Sequence, residues 1–358
     1  MNDRLAQLID DLSAGHTPGE AELASALASD GKASDTLRAA ADALRAKVMG
    51  DTVHLRGIIE FSNICRNNCA YCGIRRGNGK VPRYRIPPEE ILETARRAKE
   101  WGCGTIVLQA GEDPGVPDDA LCRLVEAIKS DTGAAITLSV GLRPRDTLAA
   151  FRKAGADRYL LRFETSQRDL FARIHPDGSF EERIACLRDL RAEGFQVGSG
   201  FMIGLPGADY RAIARDLLFA RSLELDMIGC GPFIAHPDTP LADAAPLPLK
   251  AAYYNAIALL RLMNPTAHIP ATTAFDALDP DGRDRVLAGG ANVFMPNLTP
   301  GKYRDKYLLY PGKPCVDEDG GACVLCIRGR LRALGRTPGT GRGDAYRFST
   351  STDKETQP

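Results

Sequence analysis

Some residue types are scarce in this chain of 358 residues. It has one tryptophan, five histidines and 6% aromatic residues, and its 46 basic residues are matched by 46 acidic ones. A net charge of zero argues against nucleic acid or an anionic membrane surface as a partner. No apolar run approaches the ~20 residues of a membrane span, and the acidic start of the chain, with Asp3, Asp10 and Asp11, has no signal-peptide core. The sequence therefore predicts a cytoplasmic protein that binds neither nucleic acid nor membrane.

The histidines do not form a ligand pattern. His175, His236 and His268 lie far apart in the sequence, so we expect each to have a structural role. Hydrophobic residues make up 44% and charged residues 26% of the chain, which is typical of a globular protein. At this length one large domain or two small ones can bury enough surface without disulfides. No large apolar seam is visible, which favours a monomer.

The ten cysteines carry most of the chemical information in the sequence. Six of them form two triplets, and in a reducing cytosol this grouping indicates metal chemistry rather than disulfides. The other four are interpreted as small core residues: Cys103, Cys122, Cys186 and Cys230.

The first triplet, Cys65, Cys69 and Cys72, has the spacing C-x3-C-x2-C. Three soft ligands in one tight loop suit an iron–sulfur cluster or a zinc ion. Zinc motifs usually pair two knuckles to supply four ligands, whereas the next cysteine here is the distant Cys103. The spacing favours a 4Fe–4S cluster with one open iron, and a zinc knuckle is the alternative.

The second triplet, Cys315, Cys323 and Cys326, has the spacing C-x7-C-x2-C. It predicts an auxiliary iron–sulfur cluster, of the 2Fe–2S or 4Fe–4S type, with zinc as the alternative. We favour iron because the first triplet already favours it.

Strands and helices are predicted to alternate along the middle of the chain. The predicted strands are Val53–Ser62, Thr105–Gln109, Ala135–Val140, Arg158–Glu164, Gln196–Ile203, Met227–Gly231, Ile269–Thr273 and Asn292–Met295. The predicted helices are Pro87–Trp101, Pro117–Asp131, Arg145–Ala154, Phe180–Glu193, Tyr210–Leu223, Leu249–Met263 and Asp281–Ala288. Eight strand–helix units over about 250 residues favour a complete (β/α)8 TIM-type barrel. A doubly wound open sheet is the alternative.

The chain is expected to divide into four segments, one of which is this α/β domain. Residues 1–50 are predicted to be helices that pack as a cap on the bottom or side of the main domain, which spans 51–300. Residues 301–336 are expected to form an irregular segment that carries the second cysteine triplet. The polar tail, 337–358, is expected to be disordered.

Chemistry in such barrels lies at the C-terminal ends of the strands, where the first triplet also falls. Strand two is followed by Gly111, Glu112 and Asp113, which could approach a ligand closely and accept hydrogen bonds from an ammonium group. An ordinary turn is the alternative for this stretch. Thr137 and Ser139 share one face of strand three because side chains alternate.

Strand four places Leu160, Arg162 and Glu164 on one face. Charged groups are costly to bury without partners, so we expect this face to line a polar pocket inside the barrel. The outward alternative would pair the charges with a helix. Glycines in strands five and six, at Gly198, Gly200, Gly229 and Gly231, favour a cavity in place of a filled core, and bulges or tight packing are the alternative.

Several motifs resemble those of radical S-adenosylmethionine (SAM) enzymes, and within them the HydE family of FeFe-hydrogenase maturases. The resemblance covers about residues 50–330. It is carried by the segments Phe61–Arg76, Val107–Pro114, Gly198–Gly207 and Pro296–Lys313 and by the second cysteine triplet. It implies a complete barrel around a long cavity, a 4Fe–4S cluster on the first triplet, and SAM as cofactor.

The resemblance also implies roles for individual residues. Those implied to bind SAM are Tyr71 at the adenine, Gly111, Glu112 and Asp113 at the methionine end, and Ser139, Glu164 and Arg183 at the ribose and carboxylate. Those implied to line the substrate cavity are Thr137, Arg162, Thr272, Thr273, Tyr307 and Tyr310. The chain departs from the family pattern at Phe163 and Ala110, and the second change leaves substrate detail in doubt.

In function, the resemblance implies assembly of the hydrogenase H-cluster alongside HydG and HydF, with a low-potential electron donor. The implied substrate is an iron–cysteine carbonyl and cyanide complex, attacked by a 5′-deoxyadenosyl radical. A methylornithine synthase-like lysine mutase is the runner-up, and biotin synthase is more distant. A non-catalytic iron–sulfur or zinc protein is the alternative from a different class, and it would not bind SAM.

Overall fold

Parallel strands and helices alternate in a computed structural model that describes residues 3–348. The strands are β1 Thr52–Ser62, β2 Thr105–Ala110, β3 Ala135–Ser139, β4 Arg158–Leu160, β5 Gln196–Ser199, β6 Met202–Ile203, β7 Met227–Ile228, β8 Gly231–Pro232, β9 Val293–Phe294 and β10 Thr337–Gly339. The helices are α1 Asp3–Ser13, α2 Glu20–Leu27, α3 Gly31–Met49, α4 Pro88–Glu100, α5 Asp118–Thr132, α6 Arg145–Lys153, α7 Arg168–Ile174, α8 Phe180–Ala192, α9 Tyr210–Ser222, α10 Ala251–Met263, α11 Ala274–Leu278, α12 Gly282–Leu287, α13 Gly301–Arg304 and α14 Gly320–Ala333. The predicted α/β class is confirmed.

The strands form a curled parallel sheet in the order β10–β1–β2–β3–β4–β5–β7, and β9 also pairs with β1. The predicted strand Ile269–Thr273 is not a regular strand. Isolated bridges instead join His268 to Met227 in β7 and Pro270 to Val293 in β9. Hydrogen bonds therefore lead from β7 through this segment to β9, although the expected eight regular strands are only partly present in the described residues.

Close backbone contact interrupts the predicted fifth and sixth strands. A Cβ atom at Gly200 would lie 2.0 Å from the carbonyl oxygen of Gly229, so only glycine allows the two chains to approach this closely. The predicted strand Gln196–Ile203 consequently divides into β5 and β6. The shorter pair β6–β8 continues beyond the break.

The N-terminal helices pack on the side of the sheet domain, where α2 contacts α9 and α3 contacts α10. Asn255 in α10 fixes this packing from a fully buried position. Its amide donates to the carbonyls of Leu27 (3.2 Å) and Ser29 (2.8 Å), and it accepts from the Ser34 hydroxyl (2.6 Å). No helix among residues 3–348 has the length and apolar character needed to cross a bilayer.

The C-terminal residues differ from their expectation. The segment 301–336 contains α13 and α14, and residues 337–348 have a defined conformation in which β10 pairs with β1. The physical reason is that buried polar groups at the N-terminal ends of the strands need partners. Arg158 donates to Asp344 (2.6 Å) and to the carbonyl of Arg342 (2.7 Å). The rest of the expected disordered tail, 349–358, lies outside the described residues.

Candidate active site

A cavity of about 350 Å³ opens at the C-terminal ends of the strands. This is within the ordinary range for a small-molecule site, about 300–1,000 Å³. One wall of the cavity is the loop that follows β1 and contains Cys65, Cys69 and Cys72. The other predicted residues that line it are Tyr71, Gly111, Glu112, Ser139, Arg162, Glu164, Arg183, Thr272, Thr273, Tyr307, Tyr310, Cys315 and Cys323.

Arg83 holds the cysteine loop in shape. Its guanidinium donates to the carbonyls of Asn63 (2.6 Å), Ile74 (2.8 Å), Arg75 (2.7 Å) and Asn78 (3.1 Å). A planar group with five donors can satisfy all four carbonyls, whereas a lysine has only three donors. The loop is therefore preorganised by the protein itself.

The donor set of the loop fits an iron–sulfur cluster. Cys65, Cys69 and Cys72 all line the cavity, and three thiols of one loop can ligate three irons of a 4Fe–4S cluster. Burial raises the pKa of Cys72 to about 12 and the pKa of Cys69 further. Thiols so hard to ionise need a bound cation to become thiolates.

Tyr71 and His175 connect the loop to the sheet. The imidazole Nδ1 of His175 lies 3.3 Å from Cys69 Sγ, and its Nε2 lies 2.9 Å from the Tyr71 hydroxyl. That hydroxyl is also 3.2 Å from Glu164 Oε1. Burial, together with the nearby Arg183 and Arg162, lowers the pKa of His175 to about 3, so the ring is neutral near pH 7. Sequence reasoning missed His175 because a lone histidine between two helices has no pattern.

Arg162 and Glu164 line the cavity as their alternation along the strand predicts. Arg162 Nη2 lies 3.0 Å from Glu164 Oε2, yet neither atom makes a hydrogen bond, and the Arg162 and Arg183 Nε atoms are also without partners. Buried polar atoms are seldom left in this state. These four atoms fit a polar ligand with both hydroxyl and carboxylate groups.

The loop after β2 places Glu112 in the cavity wall, whereas Asp113 faces away from it. Asp113 accepts from the Ser62 hydroxyl (2.6 Å) and from Arg85 (2.8 Å). The Asp113 carboxylate, which was predicted to contact SAM, thus stabilises the loop after β2 from the side that faces away from the cavity. Glu112 Oε1 accepts from the Leu142 N–H (3.1 Å).

Gly111 lies against the cysteine loop, where an added Cβ would be 2.3 Å from the Ile64 carbonyl oxygen and 2.8 Å from Cys65 Cβ. We expect Gly111→Ala to displace the loop and to lower the iron bound after reconstitution by about tenfold, the scale of losses at metal supporting shells. The measurement is iron content per folded protein. Gly79→Ala is the control, because its Cβ would meet nothing within 4 Å. Equal iron in both variants would contradict the prediction.

Asp216 holds the turn that follows Glu164, a residue with a φ of 66°. Its Oδ1 accepts from the Ser166 N–H (2.5 Å), the Ser166 hydroxyl (2.6 Å) and the Gln167 amide (3.2 Å). A non-glycine residue with such a φ is strained and persists only where its surroundings fix it. Asp216 therefore stabilises the backbone that directs Glu164 into the cavity.

Burial raises the pKa of Asp216 to about 6, against the hydrogen bonds that lower it. Since the folded state then binds more protons than the unfolded state, stability at this site falls as pH rises from about 4 to 6. We expect the free energy of unfolding, relative to Asp216→Asn, to fall by about 3 kcal/mol over this range, at about 1.4 kcal/mol per pH unit. Denaturant titrations at pH 4 and pH 7 measure it. A constant difference between the two proteins would contradict it.

The lower part of the cavity is lined by hydroxyls and by one buried ion pair. The Thr273 and Tyr310 hydroxyls are hydrogen bonded to each other, and the Tyr307 hydroxyl accepts from Gln109 (3.3 Å). Lys313 donates to Glu60 Oε2 (2.7 Å). Sequence reasoning missed Glu60 and Lys313, although a glutamate within the apolar β1 pattern was a signal that could have found the first.

Thr137 does not line this cavity. Its side chain is buried in the wall of a smaller cavity beneath, with Arg56, Arg158 and His268. The prediction from the resemblance is wrong for this residue. Thr137 does share a face with Ser139, but it lies two residues nearer the N-terminal end of the sheet.

The second triplet is brought together only in part. The Sγ atoms of Cys315 and Cys323 and a carboxylate oxygen of Glu318 lie within 4.8 Å of one another. Cys326 is exposed and is not in this group. A hydrogen bond from Cys323, with the charge of Arg283, lowers the pKa of Cys315.

Of the two departures from the family pattern, Phe163 faces away from the cavity. It is fully buried and packs against Phe201 and Phe219, with ring centroids 5.7 and 5.0 Å away. Ala110 lines the cavity, where its methyl offers no hydrogen bond.

Comparison with known proteins agrees with this fold. Residues 59–220 match the sequence model of the Radical SAM superfamily. A solved structure of methylornithine synthase (PylB) superposes with a TM-score of 0.82 over 93% of this chain and 97% of its own, at 27% identity. The chain is a radical SAM enzyme, a class that implies a 4Fe–4S cluster and SAM.

The particular family follows from the curated relatives. The FeFe hydrogenase maturase subunit HydE of Thermotoga maritima is 49% identical over 86% of this chain and 88% of its own length. A 3-methylornithine synthase of Methanosarcina acetivorans is 31% identical over 70% of this chain and 71% of its own. The chain belongs to the HydE family of hydrogenase maturases.

Proposed function

We propose that this enzyme acts on an iron–cysteine carbonyl and cyanide precursor during assembly of the FeFe-hydrogenase H-cluster. The observation that carries the proposal is one continuous cavity, which runs from three thiols to a wall with a guanidinium and several hydroxyls. When bound, the 4Fe–4S cluster and SAM supply an electron and a 5′-deoxyadenosyl radical.

The residues at the upper end of the cavity are proposed to hold the cofactors. Cys65, Cys69 and Cys72 would ligate the cluster, and the cavity-facing Glu112 would accept from the ammonium group of SAM. Tyr71, Ser139, Glu164 and Arg183 would contact its nucleoside and carboxylate, a role for which the Arg183 Nε atom, which makes no hydrogen bond, is suited. Asp113 is proposed as a supporting residue rather than a ligand.

The residues at the lower end are proposed to hold the substrate. Arg162 offers a guanidinium that matches a carboxylate. Thr272, Thr273, Tyr307 and Tyr310 offer hydroxyls for anionic or carbonyl groups. An iron–cysteine complex carries both kinds of group, whereas a plain hydrocarbon would leave these polar atoms unpaired.

We expect Thr273→Val to raise KM for the complex by about tenfold, the effect of one lost hydrogen bond to a charged group. Thr137→Val should leave KM unchanged, because Thr137 lies outside the cavity. Steady-state kinetics of 5′-deoxyadenosine formation on both variants make the comparison. A larger effect of the Thr137 change would reverse the assignment of these threonines.

Several further features belong to the same proposal. Cys315, Cys323 and Cys326 would hold an auxiliary 2Fe–2S or 4Fe–4S cluster. HydG would supply the substrate, HydF would act in the same assembly, and a low-potential donor would reduce the cluster. A complete eight-unit barrel, a monomeric state and a cytoplasmic location complete the proposal. It is supported by the HydE relative and by bridges that join β7 to β9.

A lysine mutase of the methylornithine synthase kind is the second candidate, favoured by the TM-score of 0.82 to that structure. The test is anaerobic incubation of the reconstituted enzyme with SAM and dithionite, plus either the iron–cysteine complex or lysine. The proposal predicts that the complex accelerates 5′-deoxyadenosine formation and is consumed, while lysine does neither. Conversion of lysine to methylornithine would establish the second candidate instead.

A further inference from the structure

His175 occupies a position between the cysteine loop and Tyr71 that no role above explains. It is 5% exposed, and its two ring nitrogens point at Cys69 Sγ (3.3 Å) and at the Tyr71 hydroxyl (2.9 Å). Phe171 stacks on the His175 ring, with the ring centroids 4.8 Å apart and an interplanar angle of 9°. The backbone N–H of His175 also donates to the backbone carbonyl of Phe171 (2.8 Å). The stacking and this backbone hydrogen bond leave the imidazole ring little freedom to turn.

We infer that His175 is a positioning residue that donates a hydrogen bond from its Nδ1–H to the thiolate of Cys69 and accepts one from the Tyr71 hydroxyl at Nε2. The inference rests on the proposed function, since it requires Cys69 to be a cluster ligand. A thiolate can only accept, so the shared proton must be on Nδ1. A neutral ring then has an acceptor at Nε2, and tyrosine supplies the donor.

This arrangement affects the ligand site on the other side of Tyr71. The tyrosine has one hydroxyl proton, and it lies within hydrogen-bonding distance of two acceptors, His175 Nε2 at 2.9 Å and Glu164 Oε1 at 3.2 Å. When His175 accepts this hydrogen bond, Glu164 Oε1 no longer receives it and becomes available to a donor of a bound ligand, such as a ribose hydroxyl. The same histidine thus positions a cluster ligand and orients the nucleoside contact.

The arrangement also affects the cluster. Hydrogen bonds to the sulfurs are among the features that set the reduction potential of an iron–sulfur cluster. A donor to the Cys69 sulfur stabilises the more negative, reduced form and raises the potential. Losing it should therefore make the cluster harder to reduce.

The test compares three variants, of which two keep one of the two side-chain hydrogen bonds and the third keeps neither. His175→Asn retains a donor near the position of Nδ1, His175→Gln retains a polar group near Nε2, and His175→Phe retains only the stacking on Phe171. EPR-monitored redox titrations of the reconstituted proteins at one pH give the potential. We expect the reduced fraction at a fixed potential to fall about tenfold in the Gln and Phe variants, which is 59 mV for one electron. It should stay within about threefold of wild type in the Asn variant.

The outcomes separate this inference from the proposed function. Wild-type protein that takes up no cluster would refute the proposed function itself. Clusters of equal content and equal potential in all four proteins would refute the role of His175 alone. Failure of both the Asn and Gln variants to hold a cluster, with helical circular dichroism unchanged, would also overturn it, because it would show a role in assembly and not in tuning.

Discussion

Cys69→Ala is expected to lower the rate of 5′-deoxyadenosine formation by about 10³-fold or more. Removing a cluster ligand removes the cofactor that performs the chemistry. Cys69 is the most enclosed thiol of the loop and lies against His175 and the cavity wall. A replacement methyl group cannot bind iron. The measurement is chromatographic quantification of 5′-deoxyadenosine after anaerobic incubation with SAM and dithionite.

Cys122→Ala is the matched control for that experiment. Cys122 lies on α5, half-buried and outside the cavity. It should retain full activity and full iron content. Undiminished product from Cys69→Ala would show that the loop is not the catalytic cluster site, whatever its resemblance to one.

Removing residues 337–358 is expected to lower the free energy of unfolding by about 4 kcal/mol. Losses of this size are typical when one partner of a buried ion pair is removed and the other is left behind. Arg158 is 4% exposed, and its guanidinium depends on Asp344 and the Arg342 carbonyl. Without them a buried cation is left with fewer partners. Arg56 loses the Gly343 carbonyl as well (3.1 Å). Calorimetry should show the unfolding midpoint lower by roughly 8 °C, at about 2 °C per kcal/mol for a chain of this size.

The control truncation ends at Phe348, so that every described contact of this segment is kept. We expect its midpoint to match that of the full chain. Equal stability of the two truncated proteins would mean that residues 337–348 do not stabilise the strand ends.

The sequence predicts on which face of a strand a side chain lies better than it predicts how far along the barrel axis that side chain lies. Arg162 and Glu164 reach the cavity because side chains alternate with a period of two. The same rule places Thr137 on the face of Ser139, yet Thr137 lies opposite Arg158, the first residue of β4, and so below the cavity. Alternation contains no information about where along the barrel axis the cavity ends.

The residues that sequence reasoning missed depend on contacts between distant parts of the chain. Asp344 lies in a polar stretch typical of disorder. It stabilises the fold because it accepts a hydrogen bond from Arg158, which lies 186 positions earlier in the chain. His175 gains a role only when its helix brings it to Cys69, 106 positions away. By contrast, the cysteine loop is contained in eight consecutive residues, so its spacing alone predicts its chemistry.

The proposed function requires the three loop thiolates to hold a 4Fe–4S cluster whose open iron binds SAM. Electron–nuclear double resonance on the reduced, reconstituted enzyme, with SAM labelled with carbon-13 in its carboxylate, tests this requirement. We expect a carbon-13 coupling to the cluster in wild type and in Cys122→Ala. Bound SAM without that coupling, or purified protein that holds zinc in the loop, would contradict it.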